Sequence, residues 1–136
     1  LAEPERAYLA YPQQLSGGML QRAAIAMALA CQPVLLIADE PTTALDSLTQ
    51  TDVLDLLKQL QNENKLSVLL ISHDLPLIAQ YSDRVAVMRH GNIVEQGNSK
   101  HVLTNASHPY TQQLLSARPD IFKDYSASSR LIGKGV

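Results

Sequence analysis

Tryptophan is absent from the 136 residues, phenylalanine and cysteine occur once each, and aromatics make up only 4% of the chain. A single Cys31 excludes a disulfide framework and a thiolate metal site, and it suits a reduced compartment. No apolar run approaches the roughly 18 residues that a membrane span requires. Charge of neither sign dominates: 11 Lys and Arg face 13 Asp and Glu, and no block of like charge stands out. A nucleic-acid partner is therefore not implied. The chain opens on Leu1 in a polar "LAEPER" with no secretory h-region, and reads as a piece of something longer. No internal repeat is found. What is present is 46% hydrophobic residue, mostly Leu, Ile, Val and Ala, enough for one modest core.

The periodicity of that apolar content predicts an α/β chain. Leu20, Ala24, Met27 and Cys31 recur at spacings of four, three and four, which predicts a helix over 17–31 with those residues on its buried face. Pro33 ends it. "VLLIA" (34–38) and "SVLLI" (67–71) are continuous apolar runs without alternation, as expected of strands covered on both faces. Between them Asp46 or Ser47 can cap a helix whose face is Val53, Leu54, Leu57 and Leu60, with an exit turn at 62–65. Strand, helix and strand make a parallel βαβ unit with a right-handed crossover. Asp74 can cap a short helix that tolerates Pro76, and "RVAVM" and "NIVEQG" flank "RHG" as a terminal hairpin. Short helices follow near 99–105 and 109–117. Residues 1–117 then form one portion of a domain, and 118–136 a linker or flexible tail.

Chemistry gathers where the two apolar strands end. In open α/β sheets ligands collect at the carboxyl ends of strands, so Asp39, Glu40, Ser72 and His73 should share a crevice. One carboxylate there can hold Mg²⁺ through its water shell, while its neighbour orients or deprotonates a water. A histidine on the adjacent strand can reach a terminal phosphate. "LSGGMLQR" (15–22) adds a helix start with uncovered amides on a positive dipole, which suits an anion. Each feature also has a plain reading: Asp39 and Glu40 finish a strand, His73 sits on a loop, Ser16 caps a helix and the glycines make its turn.

Taken in order, "LSGGMLQR", "VLLIADEP", "TALD" and "LLISHDL" resemble the signature, Walker B segment, D-loop and switch histidine of ABC transporter ATP-binding subunits. The resemblance covers about residues 8–117. It implies the carboxyl-terminal half of a P-loop NTPase of the ABC type, with a βαβ core, a signature helix and a terminal hairpin. In that family Ser16, Gly17 and Gly18 would grip the γ-phosphate of an ATP held mainly by the opposite subunit. Asp39 would serve Mg²⁺, Glu40 the hydrolytic water, and His73 the γ-phosphate, while Asp46 would lie at the seam between cassettes. "YPQQLSGGM" and "HPYTQQLLSA" are similar to the oligopeptide, dipeptide and nickel importer branch. Leu20 stands where many relatives carry a basic residue, and no cysteine cluster follows "HPYT".

The expected function is ATP binding and hydrolysis that drives import of a peptide or similar solute. Implied partners are a second cassette, identical or not, membrane permease subunits and, indirectly, a solute-binding protein. The place would be the cytoplasmic face of a bacterial inner membrane. Two other readings stay open: a non-transport ABC ATPase of the repair or translation type, and a non-catalytic fragment that docks on an intact cassette. One motif is missing. No G-x-x-x-x-G-K-[ST] occurs, and the late "GKG" lacks both the upstream glycine and the following Ser or Thr. Its lysine and cradle amides supply charge-assisted hydrogen bonds, and losing three costs at least about 4.5 kcal/mol, more than about a thousandfold in affinity. This segment alone is therefore expected to hold ATP very weakly and not to hydrolyse it.

Overall fold

Regular structure starts earlier than the apolar pattern predicts. In the computed structural model, which describes residues 4–117, α1 (Pro4–Leu9) and a 3-10 turn (Pro12–Gln14) precede α2 (Gly17–Leu29). Proline opens both early turns, its fixed φ suiting a first helical position where the missing N–H costs nothing. The expected tail at 118–136 lies outside the described residues.

α2 begins where expected and ends two residues short, with Gln32 in the left-handed region at φ 48. The expected buried stripe is a correction. Ala24 and Cys31 are exposed, Leu20 is 39% and Met27 70% exposed, whereas the helix buries Gly18 and Ile25. Apolar residues occur all around this helix, so spacing alone could not say which side packs; a glycine, invisible to a hydrophobicity count, marks the packed face.

β1 (Leu35–Asp39) and β2 (Ser67–Ile71) run parallel, in register from Leu35 opposite Ser67 to Asp39 opposite Ile71. α3 (Ser47–Asn64) joins them and buries Val53, Leu54 and Leu57, with Leu60 half-buried. Asp46 is its cap, and Lys65 closes it in the left-handed region at φ 52. The strands are not covered on both faces. Leu36, Ala38, Val68 and Leu70 are half-buried or buried, while Leu35, Ile37, Leu69 and Ile71 are 43–60% exposed. A run without alternation gives each strand two apolar faces, and only one is occupied among the described residues.

These elements form a unit ending at His73, and a second begins at Asp74. α4 (Leu75–Tyr81) is capped by Asp74 with a proline in its first turn. β3 (Arg84–Arg89) and β4 (Asn92–Asn98) make the expected hairpin, turning on His90 and Gly91, both at positive φ (49 and 80) as tight hairpin turns require. α5 (Ser99–Thr104) and α6 (Pro109–Ser116) follow, and Leu103 and Leu115 pack with Leu75, Ala79 and Ala106 in this unit's core.

Candidate functional site

The ends of β1 and β2 are tied together by backbone before any side chain is involved. Glu40 N donates to Ile71 O at 2.9 Å, extending the parallel ladder one residue beyond Asp39. Glu40 then turns into the left-handed region at φ 46, which costs a non-glycine residue about 1–3 kcal/mol. Sterically costly backbone of this kind persists where the surroundings hold it, and here they do. Oε1 accepts from His73 N at 3.1 Å and meets His73 Nδ1 at 2.6 Å, while Oε2 accepts from Thr43 Oγ1 at 3.1 Å. The side-chain bond from His73 is the largest cause and holds the Glu40 carboxyl below its ordinary pKa; burial opposes it, and the bond from Thr43 adds a smaller lowering. An ionised carboxylate only accepts, so Nδ1 of His73 carries the hydrogen of this contact.

Glu40 and His73 are thus brought together across 33 residues of chain. The histidine ring stays 80% exposed and the carboxylate 35%, so both remain open to a ligand. Asp39 is exposed as the last residue of β1, on the uncovered side with Leu35 and Ile37. Among the described residues no cluster of three His, Cys, Asp or Glu side chains could hold a metal by itself. One carboxylate nevertheless fits Mg²⁺, which keeps several waters and binds through one or two carboxylates together with substrate phosphates.

The helix start at "SGG" is built as an amide cradle. Ser16 has extended backbone and its Oγ accepts from Met19 N at 3.3 Å, leaving the amides of Gly17 and Gly18 at the positive end of α2. Neither glycine is at positive φ. They are required by close approach instead: a Cβ on Gly17 would lie 3.0 Å from Leu45 Cδ2, and one on Gly18 only 2.4 Å from Thr49 Cγ2. The turn role open to them from sequence is therefore not the one they play. α2 is also tied to α3 by Arg22, whose Nη2 reaches Asp52 Oδ2 at 3.1 Å.

Asp46 links these parts. Its Oδ1 accepts from Thr49 N at 3.0 Å and its Oδ2 from Thr49 Oγ1 at 2.7 Å, and these bonds, the hydroxyl's first, lower its pKa. Sequence reasoning missed Thr43 and Thr49, and also Glu95 of β4, whose oxygens accept from Ser107 N (2.7 Å) and His108 N (3.2 Å). A signal existed for each threonine, three residues from an acidic side chain, a spacing at which turns and helix starts bring side chains together.

Residues 2–43 match the family model described as ABC transporter, and residues 94–135 that of the oligopeptide/dipeptide transporter C-terminal region. The chain belongs to the ABC ATPase family. It is 48% identical over 133 residues to the dipeptide transport ATP-binding protein DppD of Haemophilus influenzae, covering 98% of this chain and 40% of that one. Identity is 49% over 124 residues to the oligopeptide transport ATP-binding protein AmiE of Streptococcus pneumoniae, covering 91% and 35%. The chain therefore spans 40% of the length of the first of these relatives and 35% of the second. An ATP-binding cassette solved as a dimer in a post-hydrolysis state with ADP and Pi superimposes with a TM-score of 0.61 at 38% identity, over 70% of this chain and 40% of that one. The chain is thus a partial ABC cassette of the peptide-importer branch with a P-loop NTPase fold.

Proposed function

We propose that this segment supplies the hydrolytic and clamping half of an ATPase that powers solute import, most simply of peptides. Glu40 orients and deprotonates the attacking water, and His73 holds Glu40 in place and contacts the terminal phosphate. Asp39 would hold Mg²⁺, which when bound would supply neutralisation of charge on the phosphates. Ser16, Gly17 and Gly18 grip the γ-phosphate of a nucleotide bound chiefly by a second cassette, and Asp46 lies at the seam between the two. The phosphate cradle belongs to another part of the parent protein. Supporting this division are the absent G-x-x-x-x-G-K-[ST] and the uncovered apolar face of Leu35, Ile37, Leu69 and Ile71, which fits further sheet or helix packing from that part.

The names of the relatives, dipeptide and oligopeptide transport ATP-binding proteins, support peptide transport. In this reading the partners are permease subunits and, indirectly, a solute-binding protein, at the cytoplasmic face of a bacterial inner membrane. No helix among the described residues is long and apolar enough to cross a membrane. The observation that carries the reading is the 2.6 Å contact between Glu40 and His73 at the joined strand ends. Its test is Glu40→Gln in the full-length protein. Turnover should fall at least about a hundredfold, the order of a lost general base, while nucleotide is still retained. Undiminished turnover would assign the base elsewhere.

A further inference from the structure

One side chain joins the signature glycines to the D-loop aspartate. Thr49 carries a hydroxyl and a methyl on the same Cβ, so fixing one fixes the other. The hydroxyl is bonded to Asp46 Oδ2 at 2.7 Å, and the residue's own N–H to Asp46 Oδ1 at 3.0 Å. The methyl is the atom that a Cβ on Gly18 would meet at 2.4 Å. No other residue type serves both ends at this size: serine keeps the tether and loses the methyl, while valine keeps the methyl and loses the tether.

We propose that Thr49 is a positioning residue that transmits the placement of Asp46 to the amides of Gly17 and Gly18. Displacement of Asp46 turns Thr49 about χ1, and the methyl, packed without slack against Gly18, shifts the start of α2. A change at the seam between cassettes thereby alters the grip on phosphate within the same chain, with no partner residue needed as intermediary. Leu45, packed under Gly17, steadies the same surface. The inference rests on the clamp role given above to Ser16, Gly17 and Gly18, and adds the means by which that clamp is set.

The test uses the full-length protein, with turnover, KM for ATP and melting temperature measured for each variant. Gly18→Ala forces an overlap with the Thr49 methyl and should lower kcat by about tenfold or more, the order of an overpacked contact. Thr49→Ser removes the colliding atom, so the Gly18→Ala/Thr49→Ser pair should regain most of that loss in both kcat and melting temperature. Thr49→Val keeps the packing and cuts the hydroxyl tether: kcat should fall by about threefold or more with the melting temperature nearly unchanged, and Asp46→Ala should then lower kcat by less than it does in the parent. Two results would overturn the proposal. One is a Gly18→Ala defect that Thr49→Ser leaves untouched; the other is full additivity of Thr49→Val and Asp46→Ala. Failure of the underlying ATPase reading shows separately, as turnover that ignores Glu40→Gln whatever the threonine does.

Discussion

Two glutamates in this chain, Glu40 and Glu95, are handled alike by the backbone and end in different states. Each accepts a hydrogen bond from the amide of a histidine distant in sequence, His73 for one and His108 for the other, and each carboxyl is held below its ordinary pKa. At Glu95 the buried Thr111 hydroxyl is the first cause of the lowering, although it stops short of a well-formed hydrogen bond, and the Ser107 amide is the second. Both Glu95 oxygens are spent on main-chain amides of the loop entering α6. The His108 ring is spent too: its Nδ1 accepts from Tyr110 N at 3.1 Å and caps that helix. At Glu40 the partner ring is 80% exposed and the backbone sits in a costly conformation. Glu95 is tied to the main chain of its own unit, where its bonds hold a loop in place. Glu40 is tied to an exposed imidazole at a strand end, where a ligand can reach both groups.

The sharpest way to break this contrast is to neutralise each glutamate in turn in the full-length protein. Glu40→Gln should cost at least about a hundredfold in turnover, whereas Glu95→Gln should change turnover per folded molecule by less than about twofold. Similar losses would mean that Glu95 serves the reaction. Stability should show the reverse order. Glu95→Ala strands the amides of Ser107 and His108 and should cost about 1 kcal/mol by denaturant unfolding, at the low end because Ser107 remains solvent-accessible.

Acid should act on both glutamates in the same direction. Because both folded-state pKa values lie below the ordinary 4.5, the stability they contribute is present above that value. It is lost as pH falls through the lowered folded value. Side-chain carbonyl chemical shifts followed by NMR from pH 6 downward should therefore show both midpoints below 4.5. His73→Ala should raise only the Glu40 midpoint. The smallest effect belongs to the hairpin: Arg89 Cζ lies 4.7 Å from the centre of the Tyr110 ring, and Arg89→Gln should cost about 0.5 kcal/mol of stability, the value of an exposed cation–π contact.

Much of this was legible locally. Ser16, Asp46 and Asp74 cap the helices expected of them, because a cap bonds to an amide three residues on and needs no tertiary partner. The "RHG" turn closes its hairpin for the same reason. The burial of α2 was misread, since Met27 and Leu20 have the spacing of a core stripe and the packed face is set by what α3 presents. The strands differ: "LLIAD" and "SVLLI" read as covered on both sides, and within residues 4–117 only one side is covered.

Residue order alone determined the βαβ unit, the hairpin and the helix caps at Ser16, Asp46 and Asp74, because those features depend on neighbours a few bonds away. Tertiary structure alone decided that Glu40 meets His73 across 33 residues, that Thr49 bridges Asp46 and Gly18, and that Glu95 is used up as an anchor. Such pairings depend on strand register and helix approach. Both are set by packing, where a shift of one residue in register would turn every side chain of a strand to its other face.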